Sequence, residues 1–189
     1  MKRPLALAAL VVFALASAPA LAATYTIDGG HSSAIFKIKH LDVAYFYGAF
    51  KGVSGTLTYD EANPGAAAID LTLDAESVDS RNDNRDTHIK SPDFLNAKQF
   101  PTITFKSKSV TASGNDLKVT GTLTLHGVSK DITVTATKTG SGTHPRSQKQ
   151  MIGFHSEFTV QRSDFDMNFM VGPLSDDVTF ILSLEAAAE

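Results

Sequence analysis

The side chains best suited to chemistry are concentrated in one polar stretch, SVDSRNDNRDTHIKSPDFLNAKQFPTITFKS, which runs from Ser77 to Ser107. Its first part is crowded with Asp, Asn and Arg and contains His88. Side chains of these types serve in three kinds of site: general acid–base catalysis, oxygen-rich calcium loops, and the few polar contacts of a ligand pocket. The spacing of the residues decides among the three.

Catalysis finds little support in this spacing. The chain has no G-x-S-x-G motif and no Cys, so neither a serine nor a cysteine nucleophile is indicated. Carboxylates occur in groups, but the groups lie in polar stretches where solvated acids are expected. They are Asp83, Asp86 and Asp93, then Asp164 and Asp166, then Asp176 and Asp177. We therefore predict no catalytic residues.

Metal binding is not indicated either. Counted from Asp79, the twelfth position of a calcium loop is Lys90, where an EF-hand needs a carboxylate. Counted from Asp83, the sixth position is His88 rather than Gly, and the twelfth is Phe94. No pair of His residues has H-x-x-x-H spacing, although His residues from distant strands could still meet: His31, His40, His88, His126, His144 and His155. We predict neither a metal site nor a cofactor.

A helical lid is the interpretation that the polar stretch supports best. We predict a helix within residues 81–96, with Ser80 as its N-cap and the early Asp83 near its positive end. A second turn would begin at Ser91-Pro92-Asp93, with Pro at the first helical position. Its apolar face would carry Ile89, Phe94 and Leu95. Such a segment would close one end of the fold and supply polar groups to a ligand.

The N-terminus predicts export. Residues 1–22, MKRPLALAALVVFALASAPALA, combine two basic residues, a short apolar run and a final A-x-A, which are the marks of a secretory signal peptide. The run is shorter than the roughly 20 apolar residues that span a bilayer. We predict cleavage after Ala22, a periplasmic protein and no stable membrane insertion. Loss of Lys2 and Arg3 makes the net charge of −3 more negative, which argues against nucleic acid as a partner.

Residues 23–189 are predicted to form a single all-β domain because their dominant pattern has period two. Clear examples are DLTLDAE, DLKVTGTLTLH, DITVTAT and DDVTFILSLE. A flat sheet of about eight or nine such strands would leave two open edges, so closure into an antiparallel barrel of about eight strands is favoured. The rival immunoglobulin-like sandwich usually has a Cys–Trp–Cys core, and this chain has neither Cys nor Trp.

A barrel of this size is either filled by its own side chains or holds one small ligand. The inward positions mix large aromatic residues with small ones. We expect the small ones to leave room for a guest: Ala34, Gly52, Ala75, Gly121 and Ala136. Ordinary core packing is the competing interpretation.

Four blocks of the sequence resemble YceI-like proteins. They are YTIDGGHSSAIFKIKHLDVAYFYGAFKGVSGTLTYD (25–60), the polar stretch at 77–107, GTLTLHGVSKDITV (121–134) and GFHSEFTVQRSDFDM (153–167). The resemblance covers nearly all of residues 23–189, in order. A local difference is VAYFYGAF, where the family more often has a shorter polar approach to the Gly-x-Phe.

The resemblance implies an extended, lipocalin-like antiparallel barrel of eight strands that binds a long amphiphilic lipid in the periplasm, typically a polyisoprenoid such as a quinone. It brings no established catalysis, and homodimers occur in the family. For the lipid tail we expect contacts with Phe36, Ile38, Phe50, Leu57, Leu71, Leu73, Ile103, Phe105, Leu123, Phe154, Phe158 and Phe180.

For the lipid head group we expect contacts with Arg85, His88 and Arg162. Alternatively, these three side chains form structural ion pairs with Asp86, Asp83 or Asp164. The first functional hypothesis is an exported lipid carrier or reservoir, with a fatty acid or amide as the alternative ligand. The others are a lipocalin-like enzyme acting on a lipid or small metabolite, and a structural or adhesive surface domain.

Overall fold

The computed structural model describes residues 22–189, so the predicted signal peptide, apart from Ala22, lies outside the described residues. The strands are β1 (Ala23–Ile27), β2 (Ser33–His40), β3 (Ala44–Phe50), β4 (Val53–Tyr59), β5 (Ala68–Asp74), β6 (Val78–Asp79), β7 (Thr102–Ser113), β8 (Asp116–Leu125), β9 (Val128–Thr143), β10 (Gln150–Gln161) and β11 (Leu174–Ala188). A single α-helix in this part of the chain, α1 (Asp83–Lys90), follows β6. Short 3₁₀ turns occupy Pro64–Ala66, Ala75–Ser77 and Arg162–Phe165.

These segments build a closed antiparallel barrel of eight strands. The pairing order β1-β4-β5-β7-β8-β9-β10-β11 closes because β11 also pairs with β1. The remaining segments lengthen the barrel at one end, since β2 pairs with β11 and β3, and β6 pairs with β3. The predicted barrel is therefore confirmed, and a two-sheet sandwich is excluded because the ladder runs around a complete ring.

The alternating strands place their apolar face inside the barrel. In β8, Leu117, Val119 and Leu123 are buried, whereas Thr120 lies outside and shares a hydrogen bond with Thr133 of β9, with 2.9 Å between the two hydroxyl oxygens. Because successive side chains of a strand point to opposite faces, the period-two pattern fixes the inward set on each strand. This part of the prediction needed no long-range information.

The expectation that small inward residues leave room was wrong at the glycines. A Cβ at Gly121 would lie 2.5 Å from the Phe105 ring, and a Cβ at Gly52 would lie 2.6 Å from the Cβ of Asp74. Neighbouring side chains therefore already occupy these positions. A glycine that faces a phenylalanine indicates close packing here, because the ring fills the volume that a side chain would have taken.

The helix is shorter than predicted and has a different N-cap. Asn82 Oδ1 accepts a hydrogen bond from the Arg85 backbone N at 2.9 Å, which makes Asn82 the cap in place of Ser80. The helix ends at Lys90 because Ser91 precedes Pro92, and a residue before proline is disfavoured in the α conformation. Residues 91–100 form non-helical turns, so the predicted second helical turn is absent.

The helix and its following turns fill a gap in the barrel wall. The ladder between β5 and β7 ends at Asp74 and Thr102, after which one more hydrogen bond joins Ala75 N to Pro101 O at 2.9 Å. Residues 80–100 then occupy the space between β6 and the β8–β9 turn. We call this the helix end of the barrel and the opposite one the far end. Within residues 22–189, no helix combines the length and apolar character that crossing a bilayer requires.

Candidate ligand-binding site

The helix end encloses a cavity of about 330 Å³. Its walls come from β2, β3, α1, the turns after α1, the loop between β10 and β11, and the adjoining ends of β8, β10 and β11. The apolar lining consists of Phe36, Ile38, Phe46, Phe50, Ile89, Phe94, Leu95, Leu125, Val160, Met167, Met170, Leu174, Val178 and Phe180. The polar lining consists of His40, Arg85, His88 and Arg162. An apolar pocket with a few convergent polar groups has the usual character of a small-molecule site.

A row of stacked phenyl rings forms the floor of this cavity. The rings of Phe50 and Phe180 stack with centroids 6.5 Å apart, and those of Phe180 and Phe158 stack at 5.4 Å. We call these three residues the phenylalanine ladder. Beyond it lie two smaller spaces, of about 60 Å³ and 40 Å³, and Phe180 lines both the main cavity and the larger of these. The ladder therefore divides the barrel interior into a roomy part and a well-packed part.

Arg85 is held at the cavity wall by the residues just before the helix. Its Nε donates to Ser80 Oγ at 2.7 Å, and its guanidinium lies 4.8 Å from the centroid of the Phe46 ring. Ser80 is in turn fixed by Asp86, which accepts a hydrogen bond from the Ser80 backbone N at 2.8 Å. Since Ser80 and Asp86 are both buried, the orientation of the guanidinium is set by a network rather than by solvent.

Arg162 fastens the loop between β10 and β11 over the cavity. It is only 2% exposed, and its guanidinium donates to the carbonyl oxygens of Met167 and Phe169 at 2.7 Å, Ser175 at 3.0 Å and Leu174 at 3.2 Å. Burial lowers the pKa of Arg162 because the charged form is poorly solvated there, while the negative charge of Asp176 opposes the shift. Most of its donors are thus used by the protein itself.

His88 belongs to a group of three rings at the mouth of the cavity. Its ring meets Phe94 edge to face with centroids 4.9 Å apart and meets Phe169 at 5.6 Å. On its other side, His88 Nε2 lies 3.0 Å from Asp93 Oδ2. The imidazole therefore joins the helix to the loop after β10, at the boundary between the cavity and solvent.

The comparison with family models identifies the chain. Residues 25–186 match the model of the YceI-like domain. The chain belongs to the YceI-like family. It is 41% identical over 172 residues to Protein YceI of Escherichia coli O17:K52:H18 and equally identical to Protein YceI of Salmonella newport, with 90% of each chain covered in both cases.

Solved structures share the fold of this YceI-like protein. BcnA of Burkholderia cenocepacia has a TM-score of 0.76 and 25% identity, and the match covers 84% of this chain and 98% of that one. The YCEI protein of Campylobacter jejuni has a TM-score of 0.71 and 35% identity over 81% of this chain and 91% of that one. A polyisoprenoid binding domain from Saccharophagus degradans, 18% identical with a TM-score of 0.66, covers 87% of this chain and 98% of that one and shows likeness of fold.

The structure divides the predicted site residues of this YceI-like protein among three spaces. The main cavity is lined by Phe36, Ile38, Phe50, Phe180, Arg85, His88 and Arg162. The 60 Å³ space is lined by Leu71, Leu73, Ile103, Phe105, Leu123 and Phe158, together with Phe180. The 40 Å³ space is lined by Leu57 and Phe154. All three polar candidates therefore meet around one cavity, whereas most of the apolar candidates lie below the ladder.

The alternative ion pairs are not formed among residues 22–189. Arg85 contacts Ser80, Arg162 contacts backbone carbonyls, and His88 pairs with Asp93. Asp164 pairs instead with Lys130, with 2.6 Å between the charged atoms. Backbone carbonyls outcompete the acids for Arg162 because they are already buried beside it, whereas Asp164 stays exposed.

Several lining residues were missed: His40, Phe46, Met167, Met170 and Leu174. His40 continues the inward series of Phe36 and Ile38 in β2, whereas Met167 and Met170 lie outside regular alternation. Phe46 lies in VAYFYGAF, where aromatic and small residues occupy both alternating sets of positions, so the pattern assigns no clear inward face. Met167 and Met170 lie in the loop after β10, whose course depends on Arg162. A Met-rich loop beside an aromatic segment is the one signal that the sequence offered.

Three potential metal ligands meet at the far end: Asp28, His31 and Glu185. His31 Nδ1 lies 2.9 Å from Asp28 Oδ2 and 3.9 Å from Glu185 Oε1. The hydrogen bond to Asp28 raises the pKa of His31, as do the negative charges of Asp28 and Glu185. His31 is exposed, the two carboxylates are half-buried, and the group has the geometry of a surface ion pair.

Proposed function

We propose that residues 23–189 form one lipid-binding domain of an exported, periplasmic carrier or reservoir for a long-chain amphiphile of the polyisoprenoid type. The observation that carries the proposal is the apolar cavity of about 330 Å³ with Arg85, His88 and Arg162 in its wall. Membership in the YceI-like family supports it, as does the name of the Saccharophagus degradans relative, a polyisoprenoid binding domain.

The volume of the cavity suits a head group and the start of a tail. Its volume of about 330 Å³ lies near the lower limit of the roughly 300–1,000 Å³ of small-molecule pockets. We expect a tail of several isoprene units to displace the phenylalanine ladder and enter the 60 Å³ space beyond it. Each buried methylene contributes about 0.8 kcal/mol, which favours this displacement for a long tail.

The polar lining favours a head group that accepts hydrogen bonds. Among the described residues that line the cavity, Arg85, Arg162 and the imidazoles can donate, and none is a carboxylate. Arg85 is the stronger candidate for direct contact because its hydrogen bonds involve Nε and Nη2, whereas Arg162 directs donors from all three nitrogens to backbone carbonyls. A quinone carbonyl or an alcohol fits these donors, and a carboxylate or amide is the alternative.

The proposed activity is binding without catalysis. A lipid-modifying enzyme would need a general acid or base working with a nucleophile or a second acidic group, and among the described residues the lining offers no Ser, Thr, Cys, Lys, Asp or Glu beside its two imidazoles. Asp86 accepts from Ser80, and Asp93 pairs with His88. The lipid should therefore be recovered chemically unchanged after incubation with the protein.

Native mass spectrometry of protein purified without detergent from its own host tests the proposal. We expect a bound lipid, which solvent extraction then identifies as an isoprenoid or a fatty acid. Arg85→Met should weaken binding of added farnesol or palmitate by roughly tenfold or more, because it removes the charged donor and keeps the apolar stem. Lys118→Met on the outer face of β8 is the matched control. Protein that carries no lipid and takes up neither probe would contradict the proposal.

A further inference from the structure

The large apolar side chains that are exposed in residues 22–189 are confined to two short segments. They are Leu41, Val43, Tyr45, Tyr47, Phe169, Met170 and Val171, and Val43 is 82% exposed. Elsewhere in this part of the chain, large apolar side chains are at least partly covered. Contiguous exposed apolar surface on an otherwise polar protein marks an interaction site.

The two segments lie side by side next to the mouth of the cavity, and Tyr45 and Tyr47 continue the exposed surface along the outer face of β3. The backbone N of Leu41 donates to Pro173 O at 2.7 Å, which joins the β2–β3 turn to the loop after β10. Met170 belongs both to the exposed surface and to the cavity wall, and Phe169 packs on His88. We call these seven residues the rim patch. It is continuous with the apolar interior, so whatever covers it also faces the entrance.

The turn that presents the patch is not explained by folding alone. Leu41 and Asp42 have φ values of +52° and +56°, and Val43 N donates to His40 O at 3.0 Å, as in a type I′ turn. Asn and Gly are preferred in such a turn because they tolerate positive φ. Leu41 is disfavoured there and buries little surface, so its presence at the tip points to a role outside the barrel.

The order of residues along the turn matches the layers of a membrane surface. Leu41 and Val43 lie at the extremity, and Tyr45 and Tyr47 follow on the outer face of β3, about 7 and 14 Å behind Val43 at ~3.4 Å per residue. Tyr is enriched at the level of lipid head groups. Lys37 lies over the Tyr45 ring at 5.4 Å, where a long cationic side chain can reach the aqueous side. The charge of Asp42 is offset by Lys39, 3.1 Å away.

We propose that the rim patch inserts into the surface of a lipid bilayer, so that the cavity mouth opens onto membrane lipid. A second copy or a protein partner would cover the same surface but block the entrance, whereas a bilayer brings the ligand to it. The inference rests on the proposed lipid-binding function. It specifies reversible contact at a depth of roughly 5–10 Å, with little dependence on anionic lipid because the patch carries no excess of basic residues.

Flotation with phosphatidylcholine vesicles, with and without phosphatidylglycerol, tests the inference on the protein beginning at Ala23. We expect the parent to float with both kinds of vesicle and the double variant Leu41→Ser/Val43→Ser to lose roughly tenfold or more of its partitioning. The double variant Ala62→Ser/Ala66→Ser, exposed at the far end, is the control and should float like the parent. Farnesol binding by native mass spectrometry should be unchanged in both variants because neither pair lines the cavity.

The two measurements separate this inference from the proposed function. A parent that binds farnesol but does not float, or a Leu41→Ser/Val43→Ser variant that floats normally, would overturn membrane docking and leave lipid binding intact. A parent that floats but binds no lipid would remove the proposed function and keep the docking surface. A dimer that the Leu41→Ser/Val43→Ser variant converts to a monomer, without vesicle binding by the parent, would assign the patch to a second copy instead.

Discussion

The two ends of the barrel are built from the same kind of alternating strand, yet their interiors differ in free volume. At the far end β4, β5, β7 and β8 stay paired as neighbours, with one register shift at Ser107–Ser109, and glycine positions such as Gly121 are filled by neighbouring rings. At the helix end β5 and β7 separate after Asp74 and Thr102, and a short helix with its turns completes the wall around about 330 Å³.

The difference shows how a closed barrel acquires a pocket. Continuous strand pairing brings side chains from adjacent strands within packing distance, and the interior then closes at the density typical of proteins. Replacing strand by helix and turns moves the wall outward, and the side chains of α1 do not restore the lost contacts. A ligand site thus arises where the regular ladder stops.

The largest expected effect comes from removing the clamp of the helix end. In Arg162→Met four carbonyl oxygens lose their buried donor, and we expect a loss of about 4 kcal/mol in the free energy of unfolding. Lipid binding should also be lost, because the loop between β10 and β11 would no longer be held over the cavity. Urea unfolding of Arg162→Met measures this loss. The control is Lys118→Met, which replaces an exposed cationic side chain by the same residue. A loss under about 1 kcal/mol would show that water replaces the guanidinium.

A matched pair of Ile→Ala substitutions measures the packing of the two ends directly. Ile152 at the far end is 2% exposed, and Ile38 borders the main cavity. We expect Ile152→Ala to cost about 4 kcal/mol and Ile38→Ala about 2 kcal/mol, because the cost of a truncation grows with the contacts that are lost. Urea unfolding of the lipid-free proteins compares them. Equal costs would indicate that the helix end is as well packed as the far end.

Opening the boundary between the two ends should change the preferred tail length. Phe180→Ala removes the ladder ring that separates the 330 Å³ and 60 Å³ spaces. We expect the preference for geranylgeraniol over farnesol to rise by about tenfold, because each added methylene that becomes buried contributes about 0.8 kcal/mol. Competition between the two alcohols in native mass spectrometry gives the ratio. Leu117→Ala, a buried truncation outside the lining of either space, is the control. An unchanged ratio would show that the tail does not pass this point.

The smallest expected effect concerns the pH dependence of stability, to which we expect the helix end to contribute more than the far end. Burial acts to raise the pKa of Asp176, but hydrogen bonds from Ser163 Oγ and N, with the charge of Arg162, outweigh it and lower the pKa below its usual 3.8. A carboxyl group whose pKa is lowered by folding stabilises the folded state fully at pH values above its unfolded pKa. This contribution is lost as the pH falls through the folded pKa. Stability should therefore fall less steeply below pH ~4 in Asp176→Asn than in the parent.

Asp28 supplies the far-end counterpart of this measurement. The hydrogen bond from His31 lowers its pKa, assisted by the Gly30 backbone N, but Asp28 is exposed to solvent. Water screens such a pair, so Asp28→Asn should change the acid slope less than Asp176→Asn. Urea unfolding at pH 5 and pH 3 compares both variants with the parent. A larger change for Asp28→Asn would contradict the assignment of the main acid-labile contact to the helix end.

The local features of the chain were predictable because short-range geometry sets them. Alternation placed Leu117, Val119 and Leu123 inside the barrel, and the polar stretch did form a helix, although Asn82 rather than Ser80 caps it. Both residues are favourable caps by type. The choice fell to Asn82 because Ser80 is drawn into the buried contact with Asp86, which the sequence alone does not reveal.

The sequence by itself determined the class of fold, the inward face of each strand and the family, because strand geometry and the four family-like blocks are written along the chain. Only the tertiary structure decided where the free volume lies, that Arg162 holds a loop rather than an acid, and that the exposed apolar residues gather around one mouth. These properties depend on the free volume of the interior. That volume is the space between strands distant in sequence minus the volume of the side chains that enter it from several directions. Local patterning sets the direction of each side chain, but it does not set the free volume.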